Sequence, residues 1–415
     1  MVLVASIAKK ALAALALAIY AEGFVIPEGN NKRDGAGYIS LDFDVIRKPV
    51  HVNATKIGEN SQEKRYIPLP LDNQGPSYAV NITLGSNKQP ITVTIDTGSS
   101  DLWVVDANAV CENQSDCKDS GTFNPKTSKT FQSLGKSFEI EYGDHTTSKG
   151  TWAKDTVGLG GASITAQQFA DVNTTSVAGG ILGISVPGSE TQNLNYDNVP
   201  ITLKKQGIIK TNAYSLFLNE PEASSGQIST GDQNYGAGST GQIIFGGVDH
   251  AKYHGALIEE KIVPTTPQRL AITLNEFSYN GLNFTVNEPA VLDSGSTVSY
   301  LPREIVEAIA EKVNAAEFTT PDGGSEYVIP CDFDATGNAT FSFQNGAAIG
   351  VPLNSFGFGQ GFCILGVQPM VEGLGISAVL GDNFLRYAYV LYNLDANTIS
   401  LAPVNFTDKS DIEAI

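Results

Sequence analysis

The 415-residue chain carries 26 basic against 44 acidic side chains, a formal net charge of −18 that repels phosphate backbones and anionic lipid and excludes nucleic acid as a partner. Only 17% of residues are charged while 42 are glycine and 19 proline, which excludes disorder and long solvated helices and predicts many short strands joined by tight turns. The length suits two lobes around a sizeable core.

In chain order, Lys9 and Lys10 precede the apolar run Ala11–Ile19, and small residues follow it. This pattern reads as a secretory signal peptide over residues 1–21, well short of the ~18 apolar residues that a membrane span needs. Two dibasic pairs, Lys32-Arg33 and Lys64-Arg65, look like processing cuts. A last cut after Arg65 makes residues 22–65 a propeptide with 7 basic and 7 acidic groups and leaves 17 basic against 37 acidic in the mature chain, a net −20. Such a chain keeps a modest charge only in acid, so an acidic working environment is expected. Export also makes the Asn-x-Ser/Thr sites at Asn53, Asn81, Asn113, Asn173, Asn283, Asn338 and Asn405 potential glycan acceptors.

From Tyr66 onward alternating segments predict strands, beginning with Tyr78–Leu84, Ile91–Ile95 and Leu102–Val105. Residues 223–241, rich in Gly, Ser and Thr, read as a surface loop. Within that loop Gly236, Gly238 and Gly241 satisfy a dinucleotide spelling, but they precede a strand and not a helix, so no cofactor is expected. The one helix predicted beyond the signal runs from Pro302 to Asn314, with Ile305, Ile309 and Val313 on one face. Cys111, Cys117, Cys331 and Cys363 pair most simply as sequence neighbours, although three connectivities are open. Four histidines without a His-Glu-x-x-His spelling give no support to a metal site, and the polar ending Asp408–Ile415 gives none to a lipid anchor.

The informative feature is an internal repeat. Ile95-Asp96-Thr97-Gly98-Ser99 recurs as Leu292-Asp293-Ser294-Gly295-Ser296, and each copy has a distant apolar-apolar-Gly companion, Ile181-Leu182-Gly183 and Val379-Leu380-Gly381, at 87 and 88 residues from Asp to Gly. A repeat of this size implies two similar lobes, each giving one Asp-Thr/Ser-Gly turn to a shared cleft on a pseudo-two-fold axis. Two carboxylates meeting there cannot both ionise comfortably, so the pair shares a proton and offers one general base and one general acid. Ser99 and Ser296 are placed to hold the outer carboxylate oxygens, and Thr97 and Ser294 to bond across to the opposite turn.

These residues carry a family likeness. Asp-Thr-Gly-Ser-Ser-Asp-Leu-Trp-Val from Asp96, Asp-Ser-Gly-Ser from Asp293, Phe245-Gly246-Gly247-Val248-Asp249 and Leu380-Gly381-Asp382-Asn383-Phe384-Leu385-Arg386 together resemble the pepsin-like aspartic endopeptidases, most closely the secreted aspartic proteases of yeasts, over residues 66–405. The resemblance implies an all-β bilobal acid-protease fold, with lobes 66–255 and 256–415. It implies Asp96 and Asp293 as the catalytic pair, supported by Thr97, Gly98, Ser99, Ser294, Gly295 and Ser296. It also implies a flap at Ile140–Asp144, whose Tyr142, Gly143 and Asp144 cover the substrate with Tyr142 near Trp103. Disulfides Cys111–Cys117 and Cys331–Cys363, a secreted monomer, protein and peptide substrates, an inhibitory propeptide, no cofactor and no metal complete the expectation. Thr94 stands where the family has a bulky apolar pocket residue, and His145 where it commonly has a small one. A catalytically dead binding protein on the same scaffold is the competing reading, although both turns are intact; a vacuolar protease would share every catalytic residue.

Overall fold

The structure is a computed structural model that describes residues 32–34, 37–46, 77–112, 116–143, 145–191, 195–218, 241–319, 325–330, 332–333, 335–360, 362–371 and 375–415. The proposed signal segment, the dibasic cut at Lys64-Arg65, almost all of the 223–241 loop, Asp144 and Cys331 lie outside these residues.

Strand formation follows the period-two pattern. In Gln89–Asp96 the side chains of Ile91, Val93 and Ile95 are buried and alternate with half-buried Thr92 and Thr94. This strand pairs antiparallel with Ser77–Leu84 and parallel with Gly180–Gly183, which in turn lies antiparallel to Leu102–Cys111. Ala162–Thr175, Thr147–Leu159 and Gln132–Glu141 continue the sheet outward and form its long outer ribbon. In the other direction it runs through Tyr38–Ile46, Gly241–Phe245, Ala213–Leu218, Ala388–Asn393, Thr398–Pro403 and Ile258–Lys261, so strands from both ends of the chain share one sheet.

A second, seven-stranded sheet carries the other copy of the repeat, in the order Ala348–Pro352, Asn338–Phe343, Ala271–Tyr279, Leu282–Leu292, Ala378–Leu380, Ser299–Leu301, Val367–Pro369. The two copies have the same register. Ile95 pairs with Leu182 and Leu292 pairs with Leu380, both in parallel ladders, and the companions then pair antiparallel with the next strand through Ile181 and Trp103 or Val379 and Tyr300. One continuous apolar core lies behind both turns and includes Ile95, Leu182, Tyr214, Leu292, Leu380 and Tyr392, all almost fully buried.

The predicted helix is present as Arg303–Lys312, buried through Ile305, Val306, Ile309 and Ala310, with Pro302 at its N-cap and Val313 at its C-cap. Two further helices, Val199–Lys205 and the single turn Asp382–Leu385, were not predicted. The first had a readable signal: Asn198 caps Ile201 N–H, and Pro200 sits in the first turn, where a missing N–H costs nothing.

A more consequential departure lies upstream. The sequence reading begins its strands after Tyr66, yet Lys32–Asp34 and Tyr38–Ile46 are strands, and the latter is hydrogen-bonded on both sides, to Gly241–Phe245 and to Ser77–Leu84. Ile39 and Leu41 are almost fully buried. The alternation Ile39, Leu41, Phe43, Val45 against Ser40, Asp42, Asp44 is as regular as any downstream, and only its position within a presumed propeptide hides it. Cys111 and Cys117 form a disulfide, and Cys363 is also disulfide-bonded.

Candidate active site

Each Asp-Thr/Ser-Gly turn leaves its parallel strand at the same point, and the companion glycine explains why. A Cβ on Gly183 would lie 2.5 Å from the Asp101 nitrogen, and one on Gly381 would lie 2.3 Å from the Val298 oxygen and 2.4 Å from the Ser296 oxygen. Both glycines are therefore pressed against the backbone of the turn they accompany, and only a residue without a side chain fits. Thus the distant half of the repeated signal is a packing requirement of the near half.

The two turns are tied to each other. Thr97 Oγ1 donates to the Leu292 carbonyl at 2.8 Å and accepts from Ser294 N–H at 2.9 Å, while Ser294 Oγ donates to the Ile95 carbonyl at 2.9 Å and accepts from Thr97 N–H at 3.2 Å. Both hydroxyls are fully buried, so each of these bonds is shielded from water. This reciprocal lattice holds the two halves in a fixed relation.

The carboxylates are held the same way in both copies. Asp96 Oδ1 accepts from Gly98 N–H at 2.7 Å and Asp293 Oδ1 from Gly295 N–H at 2.8 Å. Ser99 Oγ donates to Asp96 Oδ2, and Ser296 Oγ to Asp293 Oδ2 at 2.8 Å. The turns also face each other closely: a Cβ on Gly98 would lie 2.6 Å from Asp293 Oδ1, and one on Gly295 would lie 2.7 Å from Asp96 Oδ1. Burial first, and then the facing Asp293 carboxylate, raise the Asp96 carboxyl well above the usual carboxylate range, against the lowering effect of Ser99 and Gly98. A paired site whose first proton is retained is what general acid–base chemistry requires.

Around this pair, Trp103 Nε1 donates to the Tyr142 hydroxyl at 2.7 Å, and both side chains pack with Ile181 in one apolar cluster. Thr94 is on the same strand face as Asp96, two residues earlier, and pairs across the ladder with Ile181. Trp103, Tyr142 and Ile181 thus form one packed wall, with Thr94 beside Ile181 in the ladder. Tyr142 opens the turn of the Gln132–Glu141 and Thr147–Leu159 hairpin, where Tyr142 N–H bonds to the Thr146 carbonyl and His145 N–H to the Tyr142 carbonyl, both at 2.9 Å. Gly143 is exposed with open space around it. His145 holds φ at 64°, a left-handed conformation that glycine adopts most easily, and its Nδ1 lies 3.0 Å from Glu141 Oε1.

Sequence reasoning missed a buried network beneath the hairpin. Asp101 accepts from Tyr196 Oη at 2.7 Å and Thr191 N–H at 2.8 Å, and Thr191 Oγ1 donates to the Glu139 carbonyl at 2.9 Å in the hairpin strand. Asp101 is part of the quoted Asp96 motif, but its partners lie about ninety residues away, and no local spacing announces them.

Among the described residues, no group of three or more His, Cys, Asp or Glu side chains is arranged to hold a metal. No described helix is long and apolar enough to cross a membrane.

Comparison with known proteins gives the arrangement a context. The profile of the eukaryotic aspartyl protease family matches residues 77–236 and 232–404. The chain is 47% identical to Candidapepsin-2 of Candida parapsilosis over 403 residues, covering 96% of this chain and 92% of that one. It is 44% identical to Secreted aspartic protease 8 of Candida albicans over the full length of both chains, and 44% identical to Candidapepsin of Candida tropicalis over 98% of each.

Proposed function

Because the chain belongs to the eukaryotic aspartyl protease family, we propose that its facing turns hydrolyse peptide bonds, with Asp96 and Asp293 as the catalytic carboxylates. It is a secreted aspartic-type endopeptidase that acts on proteins. The observation that carries the residue assignment is the mutual approach of two carboxylates held by equivalent donors in two copies of one turn. Shared-proton dyads are a known property of aspartic proteases, applied here to this pair.

In the reaction, the ionised carboxylate takes a proton from a water lying between the pair, and the water oxygen attacks the scissile carbonyl carbon. The protonated partner gives its proton to the carbonyl oxygen, forming a tetrahedral intermediate. On collapse the C–N bond breaks, the amine leaves with the proton held by the carboxyl that first acted as base, and the other carboxylate takes back a hydroxyl proton from the tetrahedral carbon as its C=O forms, so the pair is singly protonated again. The Thr97–Ser294 lattice keeps both carboxylates in register throughout. Tyr142 and its hairpin exclude water above them.

The test is direct. Mature protein mixed with a denatured protein at acid pH should cleave it, and a transition-state-mimicking aspartic inhibitor should stop it. Absence of cleavage by folded protein favours the binding-protein reading.

Residues 22–65 act as a propeptide released by a cut after Arg65, leaving lobes 66–255 and 256–415 as a monomer. The strand Tyr38–Ile46, bonded on both sides, supports an intimate role for the segment. Secreted protein is expected to begin at Tyr66 by N-terminal sequencing, and changing Lys64-Arg65 to Ala-Ala should delay maturation. Full activity with residues 22–65 attached would refute latency.

Pocket polarity follows from Thr94. Thr94→Ile should raise cleavage beside Phe or Leu relative to polar residues by up to ~10-fold. An unchanged library profile would show that Thr94 does not touch substrate.

Glycan occupancy should follow exposure. Asn173, Asn283 and Asn338 are exposed, whereas Asn81 Oδ1 accepts from Thr92 Oγ1 at 2.7 Å and Asn405 Nδ2 donates to the Ala251 carbonyl at 2.9 Å. Peptide mass mapping before and after deglycosylation should find glycan on the first three and not on the last two. Asn53 and Asn113 lie outside the described residues.

A further inference from the structure

Arg269 sits at the shoulder of the carboxylate pair and has no assigned role. It lies between the strands Ile258–Lys261 and Ala271–Tyr279, and the preceding carbonyl, of Gln268, accepts from Ser189 Oγ in the other half of the chain. Arg269 Nη1 reaches the Gly98 carbonyl at 3.4 Å. That residue's N–H binds Asp96, and its Cα faces Asp293. The side chain is half-buried, and its Nε is fully buried with no acceptor among the described residues.

A guanidinium is always charged and offers five N–H donors in a planar fork. Among the described residues it makes one long bond, to the Gly98 carbonyl. Among the described residues the ion pairs do not include Arg269, although the chain as a whole has 44 acidic side chains. Leaving a buried donor of a charged group unfilled is unfavourable unless a partner arrives later. The ligand that arrives at this place is the substrate, and the group that best matches the fork is a carboxylate.

We propose that Arg269 is a specificity-determining residue that pairs with an acidic side chain of the substrate on the Gly98 side of the scissile bond. The inference rests on the protease reading above. A strongly acidic enzyme thereby accepts acidic sequences that its net charge alone would repel.

The experiment uses mature enzyme at pH 5, where a Glu side chain is mostly ionised. Peptides with an apolar centre carry Glu or Gln in turn at each of three positions on either side of the cut, each peptide made both as the free acid and as the C-terminal amide. At one position the ratio of kcat/KM for Glu over Gln should be roughly tenfold, the scale of one charge-assisted pair. Arg269→Gln should bring that ratio to about one, and Arg269→Glu should invert it. Arg269→Lys, which keeps the charge without the fork, should give an intermediate ratio.

Equal loss for Glu and Gln peptides in Arg269→Gln would make the residue a brace between the halves and overturn the proposal. So would a parent enzyme with no Glu preference at any position, a result that needs no variant to fold. A preference that follows the free terminus and not the Glu position would assign the cation to chain ends and overturn the side-chain form. Failure of the parent to cleave any peptide would instead strike the protease reading itself.

Discussion

Asp96→Asn and Asp293→Asn, each made in the mature chain, are expected to lower peptide hydrolysis by roughly 1,000-fold or more while leaving the fold in place. An amide at either position neither takes a proton from water nor gives one to the carbonyl, so the base–acid division is lost. The turns tolerate the change because each hydrogen bond has an alternative. Asn Oδ1 still accepts from Gly98 or Gly295 N–H, and the Ser99 or Ser296 hydroxyl rotates to accept from Nδ2. Measured kcat/KM alongside thermal unfolding separates the two effects. Substantial activity in either folded variant would overturn the assignment.

Neutral pH should remove both activity and stability, for separate reasons. The raised Asp96 carboxyl keeps the pair singly protonated into mild acid, and activity ends once that proton leaves. Stability is governed elsewhere, by carboxyls that the reaction does not use. Burial raises Asp101 to about 6 and Asp171 to about 7, the latter with a further push from Asp106. Both therefore hold a proton in the folded chain at pH values where the unfolded chain, with carboxyls at their ordinary 3.8, has released it. The folded state binds more protons across that window, so stability is fully present below about pH 4 and falls as pH rises toward 6 or 7. For Asp101 the fall is roughly 3 kcal/mol, from about two pH units at 1.36 kcal/mol each.

Thermal unfolding from pH 4 to pH 8 should show this decline, and Asp171→Asn should flatten part of it. Asp171 Oδ1 is buried without a hydrogen-bond partner, so an amide there breaks no bond at that atom and no longer ionises. A pH profile of Tm that is identical in the variant would remove Asp171 from the account.

Much of the site is written locally, and that is why it was legible. The Asp-Thr/Ser-Gly-Ser spelling specifies a turn, a carboxylate and a hydroxyl within five residues, and duplication supplies the partner. The companion glycines were visible as signals, but their reason, contact with the backbone of a turn nearly ninety residues away, is tertiary. Asp101 and Arg269 were not read as functional because their surroundings are assembled from distant segments: Thr191 and Tyr196 in one case, Gly98 in the other. The wall beside Thr94 was half legible. Tyr142 and Trp103 came from the family likeness, whereas Ile181 enters only through the parallel pairing of its strand.

If the proposed cut after Arg65 removes the strand Tyr38–Ile46, the sheet loses a member bonded on both sides. Its excision would strip bonding partners from Gly241–Phe245 along its length and from one end of Ser77–Leu84, exposing unpaired backbone edges in the middle of a sheet. Open edges of this kind template pairing with other chains. A chain cut there would begin Tyr66-Ile67-Pro68-Leu69, the same Tyr-Ile-x-Leu spelling as Tyr38-Ile39-Ser40-Leu41, but with proline where the earlier segment has serine. Pro68 and Pro70 have no N–H to give, so this segment brings two fewer backbone donors than the strand removed and cannot restore every bond that Tyr38–Ile46 makes.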